Sequence, residues 1–145
     1  AMRLLMIGLI AALVVEVSAG QEEMSLEDYA TLMESNRQAF SAVEAAVDTA
    51  AYQDARANVA ILRRNFQGLP RFWSARERAD AVGIVRDGVD RLARLEDMLS
   101  RTWDVPEMRV RQATEEFRGA VCAACHDVYR EGDSESGFRF SEGVF

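Results

Sequence analysis

The sequence predicts an all-α fold, an antiparallel four-helix bundle over residues 21–131. Apolar residues recur there at helical spacing, and no segment alternates apolar and polar residues as a strand does. Short connections join the periodic stretches, which favours antiparallel neighbours. With 145 residues, of which 49% are hydrophobic, the chain can bury one core, so we expect a single domain.

The first predicted helix begins after Ser25, because Asp28 lies three positions later and the pair fits a helix N-cap. From there the inward positions recur in sevens, which places them along one seam of a helix. One series is Leu26, Met33, Phe40 and Val47, and the other is Tyr29, Asn36, Val43 and Ala50.

A second helix is predicted over about residues 54–67, ended by Gly68 and Pro70. Its expected buried residues are Val59, Leu62 and Phe66. A third is predicted to begin at Ser74, where Glu77 would complete a capping box, and to end near Arg101. Its expected buried residues are Ala81, Val85, Val89, Leu92 and Leu99.

The fourth predicted helix starts at Asp104, with Pro106 in its first turn, and ends before Gly132. Its expected inward residues are Met108, Ala113, Phe117 and Val121. Each of the four helices then has one apolar stripe. Packing the stripes together is the simplest way to bury them all.

The first twenty residues have the composition of a secretory signal. Arg3 precedes an apolar run over residues 4–15, and the small residues of a cleavage site follow at residues 17–19. The run is shorter than the roughly twenty residues of a spanning helix. We therefore expect residues 1–20 to direct export to the periplasm and to be removed; the alternative is a retained membrane anchor.

The tail of residues 132–145 is rich in Gly, Ser and acidic residues but carries three phenylalanines. Such a composition is compatible with disorder, whereas aromatic rings gain from contact with a bundle. We expect weak docking through these rings rather than a separate structural element. The rings are those of Phe138, Phe140 and Phe145.

The charge of the chain excludes one class of partner. The formal net charge is −7, and every positive side chain is an arginine. No basic stripe could outweigh so many carboxylates, so we expect no nucleic-acid partner.

The stretch AVCAACHDVYR holds the chain's only two cysteines and its only histidine. On a helix, Cys122, Cys125 and His126 project from one face. Two thiols so placed can add to the two vinyl groups of a haem, and the histidine that follows can bind the iron as an axial ligand. The motif therefore predicts one haem c, covalent through Cys122 and Cys125.

Two other interpretations of the motif were weighed. A redox or structural disulfide of the Cys-x-x-Cys type should open a helix after a strand, and this pair is predicted near the end of a helix in an all-helical chain. A zinc site would need a fourth ligand, and no further His or Cys exists, which leaves only a carboxylate.

An exported four-helix chain whose last helix carries CAACHDVYR over residues 122–130 resembles the cytochrome c′ family, including its low-spin, methionine-ligated relatives. The resemblance covers essentially residues 21–130. It implies a distal residue in the first helix, where Leu32-Met33 matches the family's pair. Met33 would be the sixth iron ligand in the low-spin branch, and Arg130 matches an arginine near the proximal histidine.

Each of these two residues also has a plainer interpretation. A buried methionine is more often core filler than a ligand, and an arginine at a helix C-terminus is favourable there without any cofactor. The other methionines are weaker candidates for the iron. They are Met24, Met98 and Met108.

The chain also departs from the family's pattern. Members often carry Arg or Gln one turn before the distal residue, where it meets a haem propionate, but Tyr29 and Ala30 stand there. The partner of the propionate would then lie elsewhere. Candidates are Arg63, Arg64 and Arg71, which could equally be solvated surface residues. The resemblance also implies a tendency to form homodimers.

The expected function depends on the second axial position of the iron. If Met33 ligates, both oxidation states keep nearly the same coordination, and the protein transfers electrons between redox partner proteins. If it does not, the resemblance implies a five-coordinate protein that binds small gases such as NO or CO. A third hypothesis is a haem subunit tethered to the membrane through residues 1–20. We expect no enzymatic activity, because the distal side lacks an acid or base.

Overall fold

The computed structural model describes residues 23–133 and 135–145, so the predicted signal over residues 1–20 lies outside the described part of the chain. The described part is predominantly helical, as predicted, and ends in a small hairpin. The helices are α1 (Leu26–Asp48), α2 (Tyr52–Ser74), α3 (Ala79–Ser100), α4 (Glu107–Phe117), a π-helical turn (Arg118–Ala123) and α5 (Ala124–Tyr129). The strands are β1 (Arg130–Asp133) and β2 (Gly137–Phe140).

The predicted N-cap of α1 is confirmed. Ser25 Oγ accepts a hydrogen bond from the backbone N–H of Asp28 at 3.0 Å, and the Asp28 carboxylate accepts from the backbone N–H of Ser25 at 3.3 Å. This reciprocal pair satisfies two donors that the first turn of a helix would otherwise leave free. Of the predicted seam, Leu26 and Ala50 are exposed, so the buried stripe is shorter than expected at both ends.

The predicted end of the second helix is wrong, because α2 continues through Gly68 and Pro70 to Ser74. Pro70 cannot donate to the carbonyl four residues earlier, which costs about 3 kcal/mol inside a helix. The extra turn buries Phe72 and Trp73, which are 1% and 0% exposed. Burying two large apolar side chains contributes about 1.5–3 kcal/mol each, enough to offset the proline.

The predicted capping box at Ser74 and Glu77 is also wrong. Ser74 is the last residue of α2, Glu77 lies in the connection with a φ of 57°, and α3 begins at Ala79. Arg78 stands at the N-cap and makes no side-chain capping bond. The predicted buried residues of α3 do face inward, with Val89 half-buried and the others buried.

The last helix begins at Glu107, after Pro106, and not at Asp104 as predicted. Backbone angles stay helical where α4, the π-helical turn and α5 meet, so the helix runs unbroken over residues 107–129. It ends before Gly132 as predicted. Met108 is 77% exposed and not inward, whereas Phe117 and Val121 are buried.

The helices surround one core. α1 packs on α2 and α2 on α3, while α4 contacts both α3 and α1 and so completes the arrangement. Gly88 of α3 lies close to the last helix and to α2. A Cβ atom added there would lie 2.8 Å from Val121 Cγ1 and 2.9 Å from Phe66 Cε1, so only glycine fits.

The C-terminal tail forms an element of its own, which corrects the prediction of weak docking and of no strands. β1 and β2 pair in antiparallel register, with Arg130 opposite Phe140. The tail is held on the helices, because Val144 is buried and Arg78 donates to the carbonyls of Gly143 and Val144, each at 2.7 Å. The hairpin also crosses the expected boundary between residues 131 and 132. Within the described residues, no helix combines the length and apolarity needed to cross a membrane.

Candidate functional site

A cavity of about 640 Å³ lies among the helices and is partly covered by the hairpin. This volume falls within the range of about 300–1,000 Å³ that small-molecule and cofactor sites occupy. Its walls are mostly apolar. They include Leu62, Phe66, Leu69, Ile84, Val85, Phe117 and Val121.

All five residues predicted to form a site line this cavity. Cys122 lies in the π-helical turn, and Cys125 and His126 lie in α5. Arg130 begins the hairpin, and Met33 reaches the cavity from α1. The fold therefore brings a methionine from the start of the described chain to the same space as the Cys-x-x-Cys-His motif.

The backbone changes its winding within the motif. The π-helical turn ends at Ala123, so Cys122 belongs to the wider turn while Cys125 and His126 belong to the regular α-helix that follows. Single π-helical turns inside α-helices occur frequently at functional sites. The sequence prediction assumed a regular helix here and missed this turn.

Both cysteines are half-buried free thiols. Burial raises the pKa of Cys122 to about 11. Burial, followed by the charge of its neighbour Cys122, raises the pKa of Cys125 to about 11 as well. At neutral pH both side chains are therefore protonated thiols.

The imidazole of His126 is half-buried beside the thiols. Burial lowers its pKa, and the positive charge of Arg130 lowers it further. The neutral ring, which is the form that binds a metal, therefore predominates at neutral pH. Among the described residues, no group of three or more His, Cys, Asp or Glu side chains is placed to hold a metal ion, so the zinc interpretation gains no support.

The wall that α1 contributes includes a buried polar side chain, Asn36, which the sequence placed on the inward seam. Met33 is half-buried, and Asn36 is only 8% exposed. Asn65 of α2 donates through Nδ2 to Asn36 Oδ1 at 2.9 Å and to Ser35 Oγ at 3.0 Å. The Nδ2 atom of Asn36 is buried and has no hydrogen-bond partner among the described residues. Leaving such a donor unpaired costs about 1–3 kcal/mol, so this amide lowers the free energy of unfolding.

Aromatic rings form the end of the cavity under the hairpin. Trp73 packs on Tyr129 with ring centroids 4.6 Å apart, and Phe140 of the hairpin packs on Tyr29 at 5.3 Å. Tyr129 is held in place because its hydroxyl donates to the carboxylate of Asp80. The hairpin thus contributes to this end of the cavity a ring that the sequence prediction treated as loosely docked.

The arginines suggested from the sequence as partners of a haem propionate do not line the cavity. Arg63, Arg64 and Arg71 are not among the described residues that line it, and Arg63 pairs with Glu96. Arg37, Arg130 and Arg139 line it instead. Arg37 lies one turn after Met33, whereas the family pattern directed attention to the turn before.

The three cavity arginines are already held by neighbours. Arg37 pairs with Glu34, and Arg139 pairs with Glu131 across the hairpin. The guanidinium of Arg130 lies 4.2 Å from the ring centroid of Phe138. Arg139 could not be assigned from the sequence, because its position depends on a hairpin that was not predicted.

No protein-family model matches the chain, and neither a curated protein nor a solved structure matches it.

Proposed function

We propose that this protein is an exported c-type cytochrome that carries electrons between redox partner proteins. In this proposal the helices form an antiparallel four-helix bundle, and one haem c is bound covalently through Cys122 and Cys125. His126 and Met33 would hold its iron. The observation that carries the proposal is that these four side chains line one cavity although they come from opposite ends of the described chain.

The residues present fit a haem on three counts. The cavity is large and mostly apolar, as a porphyrin requires. The two cysteines are free thiols and the imidazole is neutral at pH 7, which are the forms needed for two thioether links and one iron ligand. Arginine side chains reach the cavity beside these groups and can pair with the two carboxylates of the cofactor.

When bound, the haem supplies a one-electron Fe(III)/Fe(II) couple. Cys122 and Cys125 would hold the cofactor to the last helix through two thioether links, whether or not a distal ligand binds. His126 would hold the iron through an imidazole nitrogen, and Met33 of α1 would hold it through its thioether sulfur. A ligand set that is the same in both oxidation states needs little reorganisation when the electron arrives or leaves. Phe40, Phe66 and Phe117 line this space with apolar rings.

Absorption spectra of the wild-type protein and two variants test the proposal. We expect a low-spin spectrum with a methionine-to-iron charge-transfer band in the oxidised form. Met33→Ala should abolish that band and give a high-spin protein that binds CO, because no sulfur then reaches the iron. Met108→Ala is the matched control and should change neither, since Met108 is 77% exposed and lies far from the motif in the last helix.

Two outcomes would redirect the function while keeping the haem. A wild-type protein that is already high-spin and binds CO would favour gas binding over electron transfer. A Met33→Ala variant that keeps the charge-transfer band would remove Met33 as the ligand.

A further inference from the structure

Arg130 differs from the other arginines of the cavity because it has no acidic partner. Arg37 and Arg139 each pair with a glutamate. No described residue forms an ion pair with the guanidinium of Arg130 or accepts a hydrogen bond from it, and the group is held instead over the ring of Phe138, 4.2 Å from the centroid. A cation that rests on an aromatic face keeps N–H donors available for an anion.

The pairing of the hairpin strands places Arg130 on the side that faces the helices. Residues directly opposite each other in an antiparallel pair lie on one face of the sheet, and Arg130 is opposite Phe140. Phe140 packs on Tyr29 of α1, so this face is turned towards the helices. Arg139 is opposite Glu131 in the next pair, and successive residues of a strand point to opposite faces. Arg139 therefore leaves the hairpin on the other face.

Arg130 lies at the edge of the cavity. Both Arg130 and Phe138 line the cavity, and both are exposed, Phe138 by 55%. A ligand bound there can keep a charged end near water while its apolar body occupies the apolar part of the cavity. A haem has this form, because its two carboxylates lie at one edge of a mostly apolar ring.

We propose that Arg130 is the residue that binds a carboxylate of the cofactor at the edge of the cavity. The inference rests on the proposed function and selects one of the three arginines for this role. An arginine can hold a carboxylate through two parallel N–H···O bonds, and its positive charge keeps the carboxylate ionised. Arg37 and Arg139 would first have to leave Glu34 and Glu131 to do the same.

The test is a redox titration of the haem-bearing protein between about pH 5 and pH 8. In the wild type we expect the reduced-to-oxidised ratio at a fixed ambient potential to be constant, because the carboxylate stays ionised in both states. In Arg130→Gln the pKa of the carboxylate should rise, and more so in the reduced protein, since the reduced iron carries one positive charge less. The ratio should then fall with rising pH, roughly threefold or more over this range.

Two further variants of the hairpin provide the comparison. Arg139→Gln removes the same charge from the other face of the hairpin and should leave the ratio constant with pH. Phe138→Leu removes the ring that holds the guanidinium and should give a smaller fall than Arg130→Gln. Phe138 is 55% exposed, so its replacement removes little of the core.

The outcomes separate this inference from the proposed function. A chain that carries no haem refutes the proposed function, and this inference with it. If haem is bound, a constant ratio in Arg130→Gln overturns the role of Arg130 alone, as does an equal fall in Arg139→Gln or in the wild type. A ratio lowered equally at every pH would reflect only the loss of a nearby positive charge and also overturns it. Should Arg130→Gln not fold, Phe138→Leu decides the matter: a fall with pH supports the inference, and a constant ratio overturns it.

Discussion

The two walls of the cavity differ in how their chemistry is fixed. On the last helix, Cys122, Cys125 and His126 lie within five consecutive positions, and helical spacing alone places them together. On α1, Met33 and Asn36 have the spacing of any amphipathic helix, and their surroundings come from other segments. The placement of the residues on the first wall can therefore be predicted from the sequence. The surroundings of the residues on the second wall depend on how α1 packs against other segments.

Of the changes that test this difference between the walls, replacing both cysteines by serine should have the largest effect. Serine hydroxyls do not form the thioether links, so Cys122→Ser with Cys125→Ser should lose all covalently attached haem. Each single variant should retain one link. The mass of the denatured protein measures attachment directly. A double variant that still carries the mass of a haem after denaturation would show that the motif is not the point of attachment.

A smaller effect should follow from changing the contact that sets the position of the last helix. Gly88→Ala would place a Cβ atom 2.8 Å from Val121 Cγ1, one residue before Cys122. We expect the free energy of unfolding, measured with urea, to fall by about 1–3 kcal/mol, as overpacked cores do.

The matched control lies in the same helix. A Cβ atom added at Gly83 meets no atom within 4 Å. Gly83→Ala should raise the free energy of unfolding by up to about 1 kcal/mol, because alanine favours a helix more than glycine does. If Gly88→Ala proved as stabilising as Gly83→Ala, the close approach of α3 to the π-helical turn would not exist.

The same local signal, a helix N-cap, was confirmed at one predicted helix start and failed at another. The N-cap of α1 needs only Ser25 and Asp28, which lie three residues apart, and the structure contains it. The same type of signal failed at Ser74 and Glu77. There the burial of Phe72 and Trp73 stabilises the helical conformation beyond Pro70, so α2 continues to Ser74.

The hairpin was missed because its signal is brief. Each strand has four residues, too few for alternation to stand out. The turn is made by Asp133, whose Oδ1 accepts the backbone N–H groups of Glu135 and Ser136. Gly132 and Gly137 adopt φ angles of 88° and 80°, which glycine adopts without strain. An Asp between two glycines in a Ser-containing stretch, GDSESG over residues 132–137, was the available clue.

The site, like the fold, was predictable where its residues lie close together in the sequence. The spacing of the motif sufficed to nominate Cys122, Cys125 and His126. The hydrogen bond from Asn65 to Asn36 joins residues 29 positions apart, and no local sequence pattern predicts it. The approach of Arg139 likewise depends on how the hairpin folds back. These contacts exist only once α2 and the tail have packed on α1.

The central claim is that one haem is attached to the last helix and faces Met33 across the cavity. The most direct measurement is the mass of the protein purified from its native host and denatured, combined with its visible spectrum. We predict the mass of the polypeptide plus one haem, and a coloured protein. A colourless protein with the mass of the polypeptide alone would contradict the account.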